Sequence, residues 1–149
     1  MKEWIVMGSS IIVPIDGSSN ALAALEEATR LSHQLDCPLV LVNVQHRIET
    51  LHTKMFFSKT DIHQYQQELA EKALEDALQQ LEGKGISYEE IVRIGYPIHE
   101  ICEVAKEMEA SYIVIGSRGR GPLKGQVFGS VSMGVLQEAE CPVIVVKKK

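Results

Sequence analysis

Short apolar runs recur along this chain, and between them the apolar residues return at helical rather than alternating spacing. Ser10-Ile11-Ile12-Val13-Pro14-Ile15 predicts a first strand, ending at Asp16-Gly17-Ser18. A helix follows over about Ser19 to Leu35, with Leu22, Leu25, Ala28, Leu31, Ser32 and Leu35 on one face. Pro38–Val44 is a second strand, apolar with little alternation, the pattern of a parallel strand covered on both faces. Residues 45–59 are mixed and carry no period, so they read as an irregular loop. A long helix then spans about Asp61 to Leu81, with Ile62, Tyr65, Leu69, Ala73, Leu78 and Leu81 inward and Gly83-Lys84-Gly85 as its stop.

The second half repeats the alternation. Ile86–Gly95 is a more polar strand, which places it near a sheet edge, and Gly95-Tyr96-Pro97 opens a helix to about Ala110. Tyr112-Ile113-Val114-Ile115 is a fourth, buried strand; a helix over about Ser130 to Glu138 precedes the last apolar run, Pro142–Val146. Five strands separated by helices predict an α/β fold, an open parallel sheet with right-handed crossovers and helices on both faces. With no linker-like stretch, repeat or low-complexity segment, residues 1–149 read as one domain. The uninterrupted Val143-Ile144-Val145-Val146 would leave an open strand edge if it lies last in the sheet, which predicts a homodimer through that strand.

The stretch richest in chemistry follows the fourth strand: Gly116-Ser117-Arg118-Gly119, nine residues, then Gly129-Ser130-Val131-Ser132. A strand that opens into a glycine-rich loop and closes on a helix start is a phosphate site in outline. Glycine lets the backbone approach the anion, and the helix N-terminus aims unpaired N–H groups at it. No Lys-Ser or Lys-Thr pair closes the loop as a Walker A element requires, and Lys124 stands where a third glycine of G-x-G-x-x-G belongs.

Composition narrows the partners. A net charge of −5 argues against nucleic acid, and no apolar run approaches membrane-spanning length. Cys37, Cys102 and Cys141 are widely spaced and fit neither a zinc pattern nor a redox pair, so they read as buried thiols in a reducing cytoplasm. The start of the chain lacks the layout of a signal peptide, which also predicts a cytoplasmic protein. His46, His52 and His63 fall around the irregular segment and read as solvated, while His33 and His99 lie on helices; no His-Asp-Ser grouping emerges from spacing.

Together these residues resemble the universal stress protein family, from about Ser10 to Lys147. The family's pattern G-x2-G-x9-G-[S/T] is matched by Gly116, Gly119, Gly129 and Ser130, and the Asp-Gly-Ser strand end, the Gly-x-Pro helix entry and the closing Cys141-Pro142-Val143 run are similar too. The resemblance implies strand order 3-2-1-4-5, a homodimer joined through the last strand, and membership of the ATP-binding subgroup. It implies that Asp16 faces the ribose or adenine end, with helix-start capping as a compatible alternative role. Pro14 and Ile15 would supply walls, and Val44 would touch the adenine or simply pack in the core. Gly116 and Gly119 would fold the loop over the phosphates, Gly129, Ser130, Val131 and Ser132 would bind them, and Arg118 would reach one; Arg120 and Lys124 are as well explained as solvated charges.

Magnesium would bridge phosphate oxygens, although no carboxylate cluster marks a dedicated metal site. In strand order 3-2-1-4-5 the ends of strands 1 and 4 meet at a switch point, where open α/β sheets bind ligands. Two departures from the family pattern stand out: roughly the first nine residues, with Trp4-Ile5-Val6, form an N-terminal extension, and Ser111 replaces the Asp common before strand 4. The intact glycine pattern without a catalytic constellation points to an ATP-binding module in stress response or signalling. A slow ATP hydrolase and a dimeric scaffold with a vestigial site are the alternatives.

Overall fold

The computed structural model describes residues 10–118 and 128–149. Its elements run β1 (Ile11–Pro14), α1 (Ser19–Leu35), β2 (Leu39–Gln45), α2 (Leu51–Phe56), α3 (Lys59–Leu81), β3 (Tyr88–Ile94), α4 (Pro97–Glu107), β4 (Tyr112–Gly116), α5 (Ser130–Glu138) and β5 (Val143–Val146). The five strands form one sheet, β3-β2-β1-β4-β5, in which every neighbouring pair is parallel.

Side chains of a strand alternate between faces, and here that alternation builds two cores. Ile11, Val13, Ile15, Leu39, Leu41 and Val114 point to one side, where Ala24, Leu25 and Ala28 of α1 and Leu74, Ala77 and Leu81 of α3 cover them. Ile12, Val40, Val42, Ile113 and Ile115 point to the other, under Ile101, Val104 and Ala105 of α4 and Val135 of α5. Burial on both faces accounts for the uninterrupted apolar runs of β1, β2 and β4. The more polar β3 and the final β5 are the two sheet edges, and each residue of β5 is half-buried.

Local chemistry sets the helix starts. Ser18 caps α1 by accepting from the Ala21 N–H at 3.2 Å. Ser58 and Asp61 form a reciprocal capping box that starts α3 at Lys59, two residues before the expected start at Asp61. Pro97 opens α4, its missing N–H falling where a helix has no partner for one.

Three expectations are corrected. Residues 45–59 are not wholly irregular: α2 forms there, capped by Thr50, although none of its residues is buried. The inward face of α3 is turned relative to the expected one, with Gln66, Ala70, Ala73, Leu74, Ala77 and Leu81 buried while Tyr65 and Leu69 are exposed. Alanine lets this helix lie close to β2, and the bulkier residues fall to the outer side. Leu35, expected on the inner face of α1, is 46% exposed, because the helix ends there and Asp36 turns the chain into the left-handed region.

The three cysteines are free and half-buried rather than fully enclosed. Burial pushes the thiols up, and Cys102, with the Glu138 carboxylate as a second cause, is pushed up to about 11. No helix among the described residues is long and apolar enough to cross a membrane. The N-terminal extension lies outside the described residues.

Candidate functional site

Where β1 ends, the ladder continues for one bond, Ile15 N–H to the Val42 carbonyl at 2.8 Å, and then the chain turns sharply. Asp16 accepts the Ser18 N–H on Oδ1 at 2.9 Å, and Gly17 takes φ +83°, a left-handed conformation that glycine adopts without strain. Ser18, not Asp16, caps the helix. Asp16 is exposed, and its second carboxylate oxygen has no partner among the described residues.

At the end of β4 the chain comes just as close to α1. A Cβ built on Gly116 would lie 2.7 Å from the Asn20 carbonyl oxygen, so this glycine is required by helix–strand packing. The next residue pins the loop: Ser117 N–H donates to Val146, while the Ser117 carbonyl accepts from the Gly129 N–H at 2.7 Å and the Ser132 hydroxyl at 2.8 Å. Ser132 is buried, and its hydroxyl also approaches the Gly129 carbonyl at 3.0 Å. That hydroxyl proton therefore goes to the loop backbone and clamps the two loop ends together.

Gly129 is the N-cap of α5 and supplies no side chain to it, and the first turn holds no acidic residue. The N–H groups of Ser130, Val131 and Ser132 accordingly meet no side-chain cap among the described residues, the arrangement that favours an anion.

Between these two turns opens a cleft of about 410 Å³, within the ~300–1,000 Å³ typical of small-molecule sites. Pro14, Ile15, Asp16 and Val44 line it from the β1 and β2 side. Gly116, Arg118, Gly129, Ser130, Val131 and Ser132 line it from the β4 and α5 side. Of the site residues expected from sequence, Gly119 lies outside the described residues; Arg120 and Lys124, read as solvated charges, lie outside them too. Val44 lines the cleft and also packs against the core beneath α4 and α5. The cleft sits at the C-terminal ends of β1 and β4, the switch point of the strand order.

Sequence reasoning missed part of the wall. Asn43, Gln45, His46, Pro97 and Ile101 all line the cleft. Asn43 is 2% exposed and donates from Nδ2 to the Ile15 carbonyl at 2.8 Å, and Gln45 Nε2 donates to Asn43 Oδ1 at 2.7 Å. His46 is exposed, as expected, and its backbone carbonyl accepts from the buried Gln66 of α3 at 2.9 Å. Two amides in one apolar strand, both near its C-terminal end, were the available signal. Among the described residues no group of three His, Cys, Asp or Glu side chains stands ready to hold a metal.

The comparisons with known proteins match this geometry. The model of the universal stress protein family matches residues 7–147. The universal stress protein YxiE of Bacillus subtilis is 34% identical over 148 residues, covering 95% of this chain and 100% of that protein. The structure of the protein MJ0577 superimposes with a TM-score of 0.81 at 28% identity, covering 97% of this chain and 99% of that one; MJ0577 is a universal stress protein of Methanocaldococcus jannaschii. The universal stress protein of Archaeoglobus fulgidus, solved in complex with dAMP, superimposes with a TM-score of 0.69 at 26% identity over 95% of this chain and 100% of its own. With the sheet order, the Asp16 turn and the glycine-bounded helix start of α5 all in place, this chain belongs to the universal stress protein family.

Proposed function

We propose that this protein is an adenine-nucleotide-binding module, with ATP as its ligand, that works in stress response or nucleotide-dependent signalling in the cytoplasm. The observation that carries the reading is the cleft at the β1–β4 switch point, where a carboxylate oxygen without a partner among the described residues stands across from a helix N-terminus that no described side chain caps. These two ends differ in chemistry. The Asp16 end accepts hydrogen bonds from sugar hydroxyls; the Ser130–Ser132 end donates backbone N–H groups to phosphate oxygens, with Arg118 on the same wall. The dAMP complex of the Archaeoglobus fulgidus relative supports an adenine nucleotide as the ligand.

The roles follow the walls. Pro14, Ile15 and Val44 enclose the base and sugar, and Gly119 acts with Gly116 and Gly129 in the phosphate loop. Ser132 contributes its N–H and the shape of the loop, because its hydroxyl is spent on the Ser117 and Gly129 carbonyls. A magnesium ion would be held chiefly by phosphate oxygens and water, in keeping with the way that ion binds nucleotides. Binding and retention, rather than turnover, is the activity proposed.

The second part of the reading is a homodimer. β5 is hydrogen-bonded on its β4 side, and its other edge offers Val143–Val146 to a second copy. Sedimentation at micromolar concentration tests it, and a monomer there would contradict it. Equilibrium dialysis against labelled ATP and Mg²⁺ tests the ligand: one nucleotide per chain is expected, and no uptake at millimolar ATP would overturn the assignment. Steady release of ADP in the same vessel would replace retention with hydrolysis.

A further inference from the structure

The amide chain on the cleft wall has a direction. Asn43 Nδ2 lies 2.8 Å from the Ile15 carbonyl oxygen, and a carbonyl can only accept, so this amide is oriented with its nitrogen toward β1. Its oxygen is thereby turned to Gln45 and accepts from Gln45 Nε2 at 2.7 Å. One proton of the Gln45 amide is committed, and the position of its Oε1 follows from that bond. Rotating the Gln45 amide by half a turn would set its oxygen against Asn43 Oδ1, lone pair against lone pair. Asn43 is 2% exposed, so water offers little relief for such a clash.

Gln45 also lines the cleft, and its Oε1 has no partner among the described residues. The result is a hydrogen-bond acceptor of fixed position, with one further Nε2 proton that Asn43 does not use. We propose that Gln45 reads the group at position 6 of a purine: through Oε1 it favours an exocyclic amine, as in adenine, over a carbonyl, as in hypoxanthine or guanine. A mobile glutamine would flip to suit either base. This one is held by a relay that begins at a backbone carbonyl of β1, in the strand that also carries Pro14 and leads into Asp16. The inference rests on the adenine-nucleotide reading of the cleft and names the side chain that would select the base.

The test uses the full-length protein and three triphosphates: ATP, ITP and purine riboside triphosphate, which lacks any group at position 6. Losing one hydrogen bond weakens binding about fivefold, and opposing two acceptors weakens it further, so the expected order is ATP, then purine riboside triphosphate, then ITP at about tenfold or more below ATP. In Gln45→Met the ATP-to-ITP ratio should fall to within about twofold, because the acceptor is gone. Gln45→Leu repeats the test if the methionine variant does not fold. A ratio that survives either folded variant overturns the role of Gln45, and so does a wild-type protein that binds ATP and ITP equally. Wild-type protein that binds none of the three overturns the nucleotide reading itself.

Discussion

The α-carbon of Gly116 sits so near the carbonyl of Asn20 that an added methyl group would stand 2.7 Å from that oxygen and 2.8 Å from its carbon. This contact joins the end of β4 to the first turn of α1, and therefore the two halves of the cleft. The first glycine of the loop pattern has a packing duty as well as a place at the cleft wall. Its obstacle is backbone, which cannot swing aside.

Gly116→Ala should therefore destabilise the fold by about 1–3 kcal/mol, the usual cost of overpacking. Urea denaturation gives the value. Because α1 has to move, nucleotide affinity should fall in the same variant. A variant as stable as the wild type would show that the close approach is not needed.

A second close contact lies between the helices of the opposite layer. A Cβ on Gly134 of α5 would collide with Ile98 of α4, most severely with its Cδ1. Gly134→Ala should destabilise, and Ile98→Val, which removes that atom, should recover part of the loss. A double-mutant cycle should give a coupling of about 0.5–1 kcal/mol in the compensating direction. Strict additivity would mean that the helices separate freely.

These contacts mark what was legible in the sequence. The five parallel strands and the Asp16 and Gly129–Ser132 turns are legible because each joins a hydrophobic period to residues with special backbone or capping chemistry, whereas the strand order is legible only through the family resemblance. Asn43 and Gln45 are not, since a polar residue in an apolar strand gains meaning only from the neighbouring strand that receives its bond, here at Ile15. The inner face of α3 is not legible from its large apolar residues, because Tyr65 and Leu69 face outward while close packing on the sheet selects Ala70, Ala73 and Ala77. The helix α2 is only six residues long, too short for a period to stand out, and it buries nothing. Its Leu51 and Met55 stand at helical spacing, but with Phe56 they are exposed.

Asp16 separates sugar binding from local structure. Asp16→Ala removes both the bond to Ser18 N–H and the oxygen left for a ligand, whereas Asp16→Asn keeps an acceptor for the turn. Loss of a hydrogen bond to a charged acceptor predicts about a tenfold drop in ATP affinity for Asp16→Ala. The drop should be smaller when 2′-deoxy-ATP is the ligand. Equal drops for the two nucleotides would remove Asp16 from the 2′-hydroxyl.

Cys102 gives the fold an alkaline dependence. Its thiol is raised from 9.0 to about 11 by burial first and by Glu138 second. Between those values the unfolded chain has released the proton and the native chain still holds it, so this group's contribution to stability falls as pH rises from about 9 to 11. The contribution is fully present below pH 9. The stability difference between wild type and Cys102→Ala should therefore shift against the wild type across that window, measured by denaturation at fixed pH steps. A difference independent of pH would contradict the raised thiol.

Amide chemical-shift mapping of the labelled protein during an ATP titration tests most directly the proposal that one cleft takes one nucleotide. The expected result is saturable shifts concentrated at Asp16–Ser18, at Val44 and Gln45, and at Gly129–Ser132, the residues that face one another across the β1–β4 switch point. Shifts confined to another surface, or none at millimolar ATP, would contradict it.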